Sequence, residues 1–332
     1  MEIGTNVCYN EMRTNVPICG VNAMAVEQCF ADIHTEEDCQ YALFKARWPE
    51  GFRCPSCTSA DYYLIRTRRH PLFECRLCRR QTSLIAGTIL EGTRTPLRKW
   101  FAAMRWVSVG ISATDLMERI GVTYKTAWLI NHKLRHAMMQ ANGELLLSGL
   151  VHIQDGIYTG SPYWSSSVSH PKDQPILAGA SLNEAHEPIQ LIMRQVDRSL
   201  CKRRYPDLAA GALFAVQHVD SDAEEVFVTP RPSKGRHCVS LYRTFYQALR
   251  WLGYTFRGIG PKHLQAYLDE FCYRFNAAAS DQSLFTRLMV QCAGTATITY
   301  RSLILRPPFT HPRGLFHRSA VPERFAQRQA VA

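Results

Sequence analysis

Four cysteines fall in two pairs, Cys54-Pro-Ser-Cys57 and Cys75-Arg-Leu-Cys78, with seventeen residues between the pairs. A two-residue spacer lets a tight knuckle aim both sulfurs at one metal. The intervening stretch is long enough for a hairpin that brings the two knuckles together. Four thiolates make a closed, tetrahedral zinc site, which is structural because no coordination position stays open. Redox-active CxxC pairs occur singly and beside a βαβ pattern, so Cys54, Cys57, Cys75 and Cys78 read as zinc ligands. The other eight cysteines (Cys8, Cys19, Cys29, Cys39, Cys201, Cys238, Cys272 and Cys292) show no paired spacing and read as reduced, mostly buried thiols. A disulfide scaffold is excluded, since that class is short and secreted.

The charge distribution suggests what the zinc segment binds. The net charge is +11, and residues 51–140 carry 15 Lys/Arg against 5 Asp/Glu. Residues 1–50 are acidic, 3 against 8, and residues 141–332 are mildly basic, 21 against 15. Positive charge concentrated on a zinc module favours a polyanion, most simply double-stranded DNA. Arg79 and Arg80, beside the last cysteine, are candidate contacts. Apolar content is 46%, and no apolar run approaches a membrane span. With no secretory signal either, a cytoplasmic, nucleoid-associated protein without a membrane partner is expected.

Several elements must position these groups. Residues 1–34 lack periodicity and read as a loose leader. A helix is expected over 35–48, with Thr35 as cap and Glu36, Glu37 and Asp38 at its positive end, and the zinc ribbon follows to about residue 90. Residues 95–141 read as helical, in a helix-turn-helix layout. Ser112 caps one helix, Gly121 turns the chain, and Thr123 caps a second helix of the kind that enters the major groove. Tyr124, Lys125 and Thr126 at its start, with Lys133 and Arg135 further along, are candidate DNA contacts. From residue 149 the texture changes. Strands are expected at 151–153, 175–182, 189–193 and 213–216, and helices at 199–212, 238–252 and 261–276. That pattern is one α/β domain with a mixed sheet over 149–300, followed by a basic, disordered tail over 301–332.

A family resemblance rests on several of these stretches in order. They are Arg47-Trp-Pro-Glu-Gly-Phe52, the four cysteines, Gln81-Thr-Ser83 with Ala86-Gly-Thr88, Leu97 to Trp100-Phe101, and Thr126-Ala-Trp128 through Lys133-Leu-Arg135. Further on come Pro261-Lys-His-Leu-Gln265, Tyr267-Leu-Asp-Glu-Phe271 and Tyr273-Arg-Phe-Asn276. Together they resemble the zinc-ribbon DDE transposases of bacterial insertion sequences, of the insertion-sequence 1595 type. The resemblance implies an α+β multidomain chain: zinc ribbon and helix-turn-helix, then an RNase H-like catalytic domain. It implies binding of element ends, Mg²⁺- or Mn²⁺-dependent strand cleavage and transfer, and a homo-oligomer on DNA.

Such chemistry uses two metal ions about 4 Å apart, held by converging carboxylates. By the resemblance, Glu270 on the last helix is the third carboxylate. Asp222 is the second, with Asp220 as the alternative, and Asp155 is the first. Val151-His-Ile-Gln-Asp155 stands where the family has a Val-Glu-Val-Asp-Glu-like run. Aligned without a gap, Gln154 occupies the catalytic aspartate's place, and only a one-residue slip restores a carboxylate. Arg257 and Ala277-Ala278 also replace a histidine and paired arginines of the family pattern. Two other functions therefore stand beside the active transposase: an inactive descendant that only binds DNA, and a zinc-ribbon transcription regulator.

Overall fold

The computed structural model describes residues 35–159, 173–229, 238–279, 282–305, 312, 314 and 316. These fall into two compact units, one of residues 35–138 with 282–304, the other of residues 139–279 with the described residues from 305 on. The leader, residues 160–172 and 230–237 and most of the basic tail lie outside the described residues.

In the first unit, α1 (Glu36–Arg47) starts at Thr35, the expected cap, and Asp38 closes a capping box with it. It packs on a three-stranded antiparallel sheet of β1 (Tyr62–Ile65), β2 (Leu72–Cys75) and β3 (Gln81–Ser83). Phe44, Trp48, Phe52, Tyr62 and Phe73 form one aromatic cluster, with ring centroids 5.0–5.4 Å apart. Helix α2 (Leu97–Val109) has Pro96 at its N-cap, which offers no capping side chain. Glu36 supplies the cap from α1, accepting from the Leu97 and Arg98 N–H groups at 2.8 and 3.1 Å. Helix α3 (Ala113–Ile120) is capped by Ser112 and ends at Gly121, whose φ of +61° is the left-handed conformation glycine adopts without strain. Helix α4 (Tyr124–Glu144) follows after the short turn.

The second unit is a four-stranded mixed sheet in the order β6-β5-β4-β9, where β4 is Leu150–Tyr158, β5 Gln174–Leu182, β6 Pro188–Gln195 and β9 Glu225–Thr229. Strands β4 to β6 form an antiparallel meander, and β9 returns parallel to β4. Before it come a two-residue pair, β7 (Cys201–Lys202) with β8 (Tyr205–Pro206), and helix α5 (Leu208–His218). Helices α6 (Val239–Phe256) and α7 (Pro261–Ala277) cover one sheet face through Phe245, Leu252, Leu264, Leu268 and Phe271. Helix α5 covers the other through Ala210, Leu213 and Phe214. The remaining helices are α8 (Leu284–Gly294), which packs in the first unit on α1 and α2, and α9 (Tyr300–Leu305).

Two expectations are corrected here. The expected strand at 213–216 is part of helix α5, and the expected helix at 199–212 begins only at Leu208. Asp207 caps the helix by accepting from the Ala210 N–H, and the alanine-rich sequence that follows loses little entropy in a helix. The tail is also not uniformly loose, because residues 301–305 are helical and Phe316 is fully buried against Phe214.

Candidate metal centre and nucleic-acid interface

The zinc knuckles are built by the same backbone geometry used twice. Thr58 N–H donates to the Cys54 carbonyl at 2.9 Å and Arg79 N–H to the Cys75 carbonyl at 3.0 Å. Cys54 N–H reaches Ser59 O and Cys75 N–H reaches Arg80 O, and Thr58 and Arg79 both adopt φ near +60°. The four sulfurs lie within 4.8 Å of one another, with Cys54–Cys78 at 3.5 Å and Cys57–Cys75 at 3.4 Å. A zinc–sulfur bond of about 2.3 Å implies tetrahedral sulfur–sulfur edges of about 3.8 Å, so the quartet fits zinc. Burial opposes ionisation of Cys54, but the N–H groups of Cys57 and Ser56 outweigh it and hold this thiol down at about 6. Among the described residues this is the one group of three or more His, Cys, Asp or Glu side chains gathered closely enough for a metal.

Around this centre the surface is rich in arginine. Arg76, Arg79 and Arg80 on the second knuckle are exposed, as are Arg66, Arg68 and Arg69 at the hairpin tip. Tyr124 and Lys125 at the start of α4 are exposed too, whereas Thr126 is half-buried and its hydroxyl meets that of Thr123 at 3.0 Å, completing the cap. Lys133 and Arg135 do not join this surface. Both are buried, and Lys133 Nζ donates to Ile89 O at 3.2 Å and Thr297 Oγ1 at 2.8 Å. Burial lowers the Lys133 pKa, with Glu91 opposing. These two expected DNA contacts are therefore interior side chains in this fold. Helix α4 is buried on nearly all sides from Ile130 to Met139, so charge there does not mark a solvent face. Arg76 and the hairpin-tip arginines were absent from the sequence-based candidates; the signal that could have found Arg76 is its place inside the second Cys-x-x-Cys spacer.

The three candidate carboxylates do not converge. Paired residues on neighbouring strands share a sheet face. Gln154 pairs with Ala178, which belongs to the α6/α7 core, and Asp155 pairs with Leu177, which belongs to the α5 core. Gln154 thus faces the side of the sheet that carries α7, and Asp155 faces the other. Asp222 is exposed in the loop before β9, where Asp220 Oδ1 accepts from the Asp222 N–H at 3.1 Å. Since Glu225 pairs with Leu150, the start of β9 lies roughly 16 Å along β4 from Asp155, at about 3.3 Å per residue. Asp220 shares that loop, and its N–H donates to Leu147 O at 2.8 Å, beyond the start of β4.

Glu270 is fully buried on α7, with Arg274 Nη1 at 3.8 Å from its Oε1. The same helix fixes Gln265 and Asn276 on the backbone of β6: Gln265 bonds Gln195 N–H and Met193 O, and Asn276 bonds Leu191 N–H and O. At 3.6 residues per turn, Glu270 projects about 140° round the helix from Gln265, away from β6. Asp155 and the helix that carries Glu270, both expected in the triad with Asp222, thus lie on opposite faces of the sheet.

Against known proteins, residues 34–81 match the family model of the transposase zinc-ribbon domain of IS1595 elements. The ribbon is of the IS1595 transposase type. The chain is also 33% identical over 90 residues to a Halobacterium salinarum protein described as "Uncharacterized protein in transposable element ISH50". That alignment covers 26% of this chain and 30% of the relative, so the chain spans under a third of the relative it matches. No solved structure matches. The transposase ribbon takes in all four cysteines together with Arg79 and Arg80, while α7 and the mixed sheet lie beyond the matched residues. No helix among the described residues is long and apolar enough to cross a membrane.

Proposed function

We propose that this chain is a DNA-end-binding protein of the insertion-sequence transposase lineage whose second unit no longer cuts DNA. The transposase ribbon, its exposed arginines and the α3–turn–α4 segment with Tyr124 and Lys125 outward support recognition of duplex DNA by zinc ribbon and helix-turn-helix. An antiparallel meander followed by a helix and a parallel strand beside the first, in the order β6-β5-β4-β9, supports an RNase H-like ancestry for the second unit.

The observation that carries the loss of cleavage is the β4 register, which turns an amide, Gln154, and not Asp155, to the face covered by α6 and α7. Mg²⁺ and Mn²⁺ need several hard oxygen donors around one point. The donors here are an amide, a carboxylate on the opposite face, an exposed loop aspartate and a glutamate beside an arginine. This set does not fit the pair of metal ions that phosphodiester transfer requires.

The test uses the zinc-loaded full chain and duplexes carrying the ends of its own element. Gel shift is expected to give binding that weakens steeply with salt. Incubation with Mg²⁺ or Mn²⁺ is expected to leave both strands intact. Strand cleavage by the wild type that disappears in Glu270→Ala would overturn this function.

A further inference from the structure

On the outward face of the ribbon sheet, Tyr63 of β1 pairs with Glu74 of β2, and Glu74 pairs with Gln81 of β3. The second zinc knuckle folds two arginines over this row. The Arg76 guanidinium lies 4.5 Å from the Tyr63 ring centroid and that of Arg79 lies 5.9 Å away. Their backbones are tied to the knuckle itself, Arg76 N–H to Asp61 O and Arg79 N–H to Cys75 O, both at 3.0 Å. The two side chains differ in their partners. Arg79 Nη1 lies 3.5 Å from Glu74 Oε1, and Gln81 Nε2 holds the other oxygen of that carboxylate at 2.7 Å. Arg76 makes no ion pair among the described residues; its cation rests on an aromatic face, and the residue is exposed.

Resting on the DNA-binding function proposed above, we infer that Arg76, held on Tyr63, makes the ribbon's leading contact with duplex DNA, and that Glu74 restrains Arg79. An arginine stacked on a ring is oriented before its partner arrives, and its planar fork matches a phosphate or a guanine edge. An arginine already beside a carboxylate must leave that partner before it can serve DNA. Leu77, next to Arg76 in sequence and 74% exposed, gives the knuckle an apolar tip.

The test is a fluorescence titration of the zinc-loaded full chain with a mixed-sequence duplex of about 30 bp, at salt from about 50 to 200 mM. Arg76→Ala should lose affinity about tenfold and flatten the slope of log affinity against log salt by about 0.9, the loss of one neutralised phosphate. Tyr63→Ala should lose several-fold in affinity with the slope unchanged, while Tyr63→Phe, which keeps the ring, should bind as wild type. Glu74→Gln should bind more tightly than wild type. Zinc content and the circular-dichroism spectrum certify folding; if Arg76→Ala fails either, Arg76→Lys replaces it and should bind more weakly than wild type with an unchanged slope. Binding by Arg76→Ala, or by Arg76→Lys where that variant stands in, within about twofold of wild type overturns the inference. Weaker binding by Glu74→Gln overturns the restraint on Arg79. Both results leave the DNA-binding function standing, whereas wild type that shows no salt-dependent binding removes that function and the inference with it.

Discussion

Replacing Gln154 by Met should stabilise the second unit. Gln154 is 2% exposed, and neither its amide oxygen nor its amide nitrogen has a hydrogen-bond partner among the described residues. It lies on the α6/α7 face between Ala178 of β5 and Thr229 of β9. A buried polar group left unsatisfied costs about 1–3 kcal/mol relative to its hydrated state. Met has nearly the same length and volume, so it removes that cost while creating little cavity or strain. The expected gain is about 1–3 kcal/mol, and for a unit of this size each kcal/mol is worth roughly 2–4 °C in Tm. Urea unfolding followed by tryptophan fluorescence gives the free energy, and DNA affinity measured in parallel should not change. Gln154→Asp should do the reverse, since it buries a charge with no partner, and neither Mg²⁺ nor Mn²⁺ should rescue it. Destabilisation by Met of more than about 1 kcal/mol would refute the reasoning, because the amide would then have to be satisfied. Stabilisation of Gln154→Asp by millimolar Mg²⁺ would refute it from the other side, since a ligand that stabilises the fold must bind it.

Two further outcomes test the first unit. Zinc should leave the ribbon on acidification. Cys54 titrates at about 6 in the fold against an ordinary 9.0, so its contribution is complete above about 9 and is lost as pH falls through 6, although bound zinc shifts that loss lower. A zinc-indicator dye reads this, and zinc still bound at about pH 3 would contradict the four-thiolate site. Lys133→Ala should lower the unfolding free energy by about 2 kcal/mol while leaving the salt slope of DNA binding unchanged, because this lysine bonds Ile89 O and Thr297. A flatter slope would return Lys133 to the interface.

The parts legible in the sequence are those set by local chemistry. The cysteine spacing gives the metal quartet, Thr35 and Ser112 give helix starts, and Gly121 gives the turn before α4. What was not legible depends on partners distant in the chain. The apolar run around Leu213 and Phe214 suits a strand or a buried helix equally by periodicity, and Asp207 outside the run decides it. Whether Gln154 or Asp155 faces α7 is a parity question, answered only by the register of β4 against β5. Lys133 and Arg135 looked like surface charge because nothing nearby in sequence reveals that α4 is enclosed there.

The bonds from Gln265 and Asn276 to β6 give α7 a role independent of any chemistry. A sheet edge exposes unpaired N–H and C=O groups that invite a further strand, from this chain or another. Here two side-chain amides, spaced three turns apart on one helix, act in place of that strand and terminate the sheet at Gln195, Met193 and Leu191. Both amides belong to the stretch 261–276 that carries part of the family resemblance in the sequence. That stretch therefore holds a closure of the sheet edge as well as a glutamate, and the sheet needs this closure whether or not the chain cuts DNA.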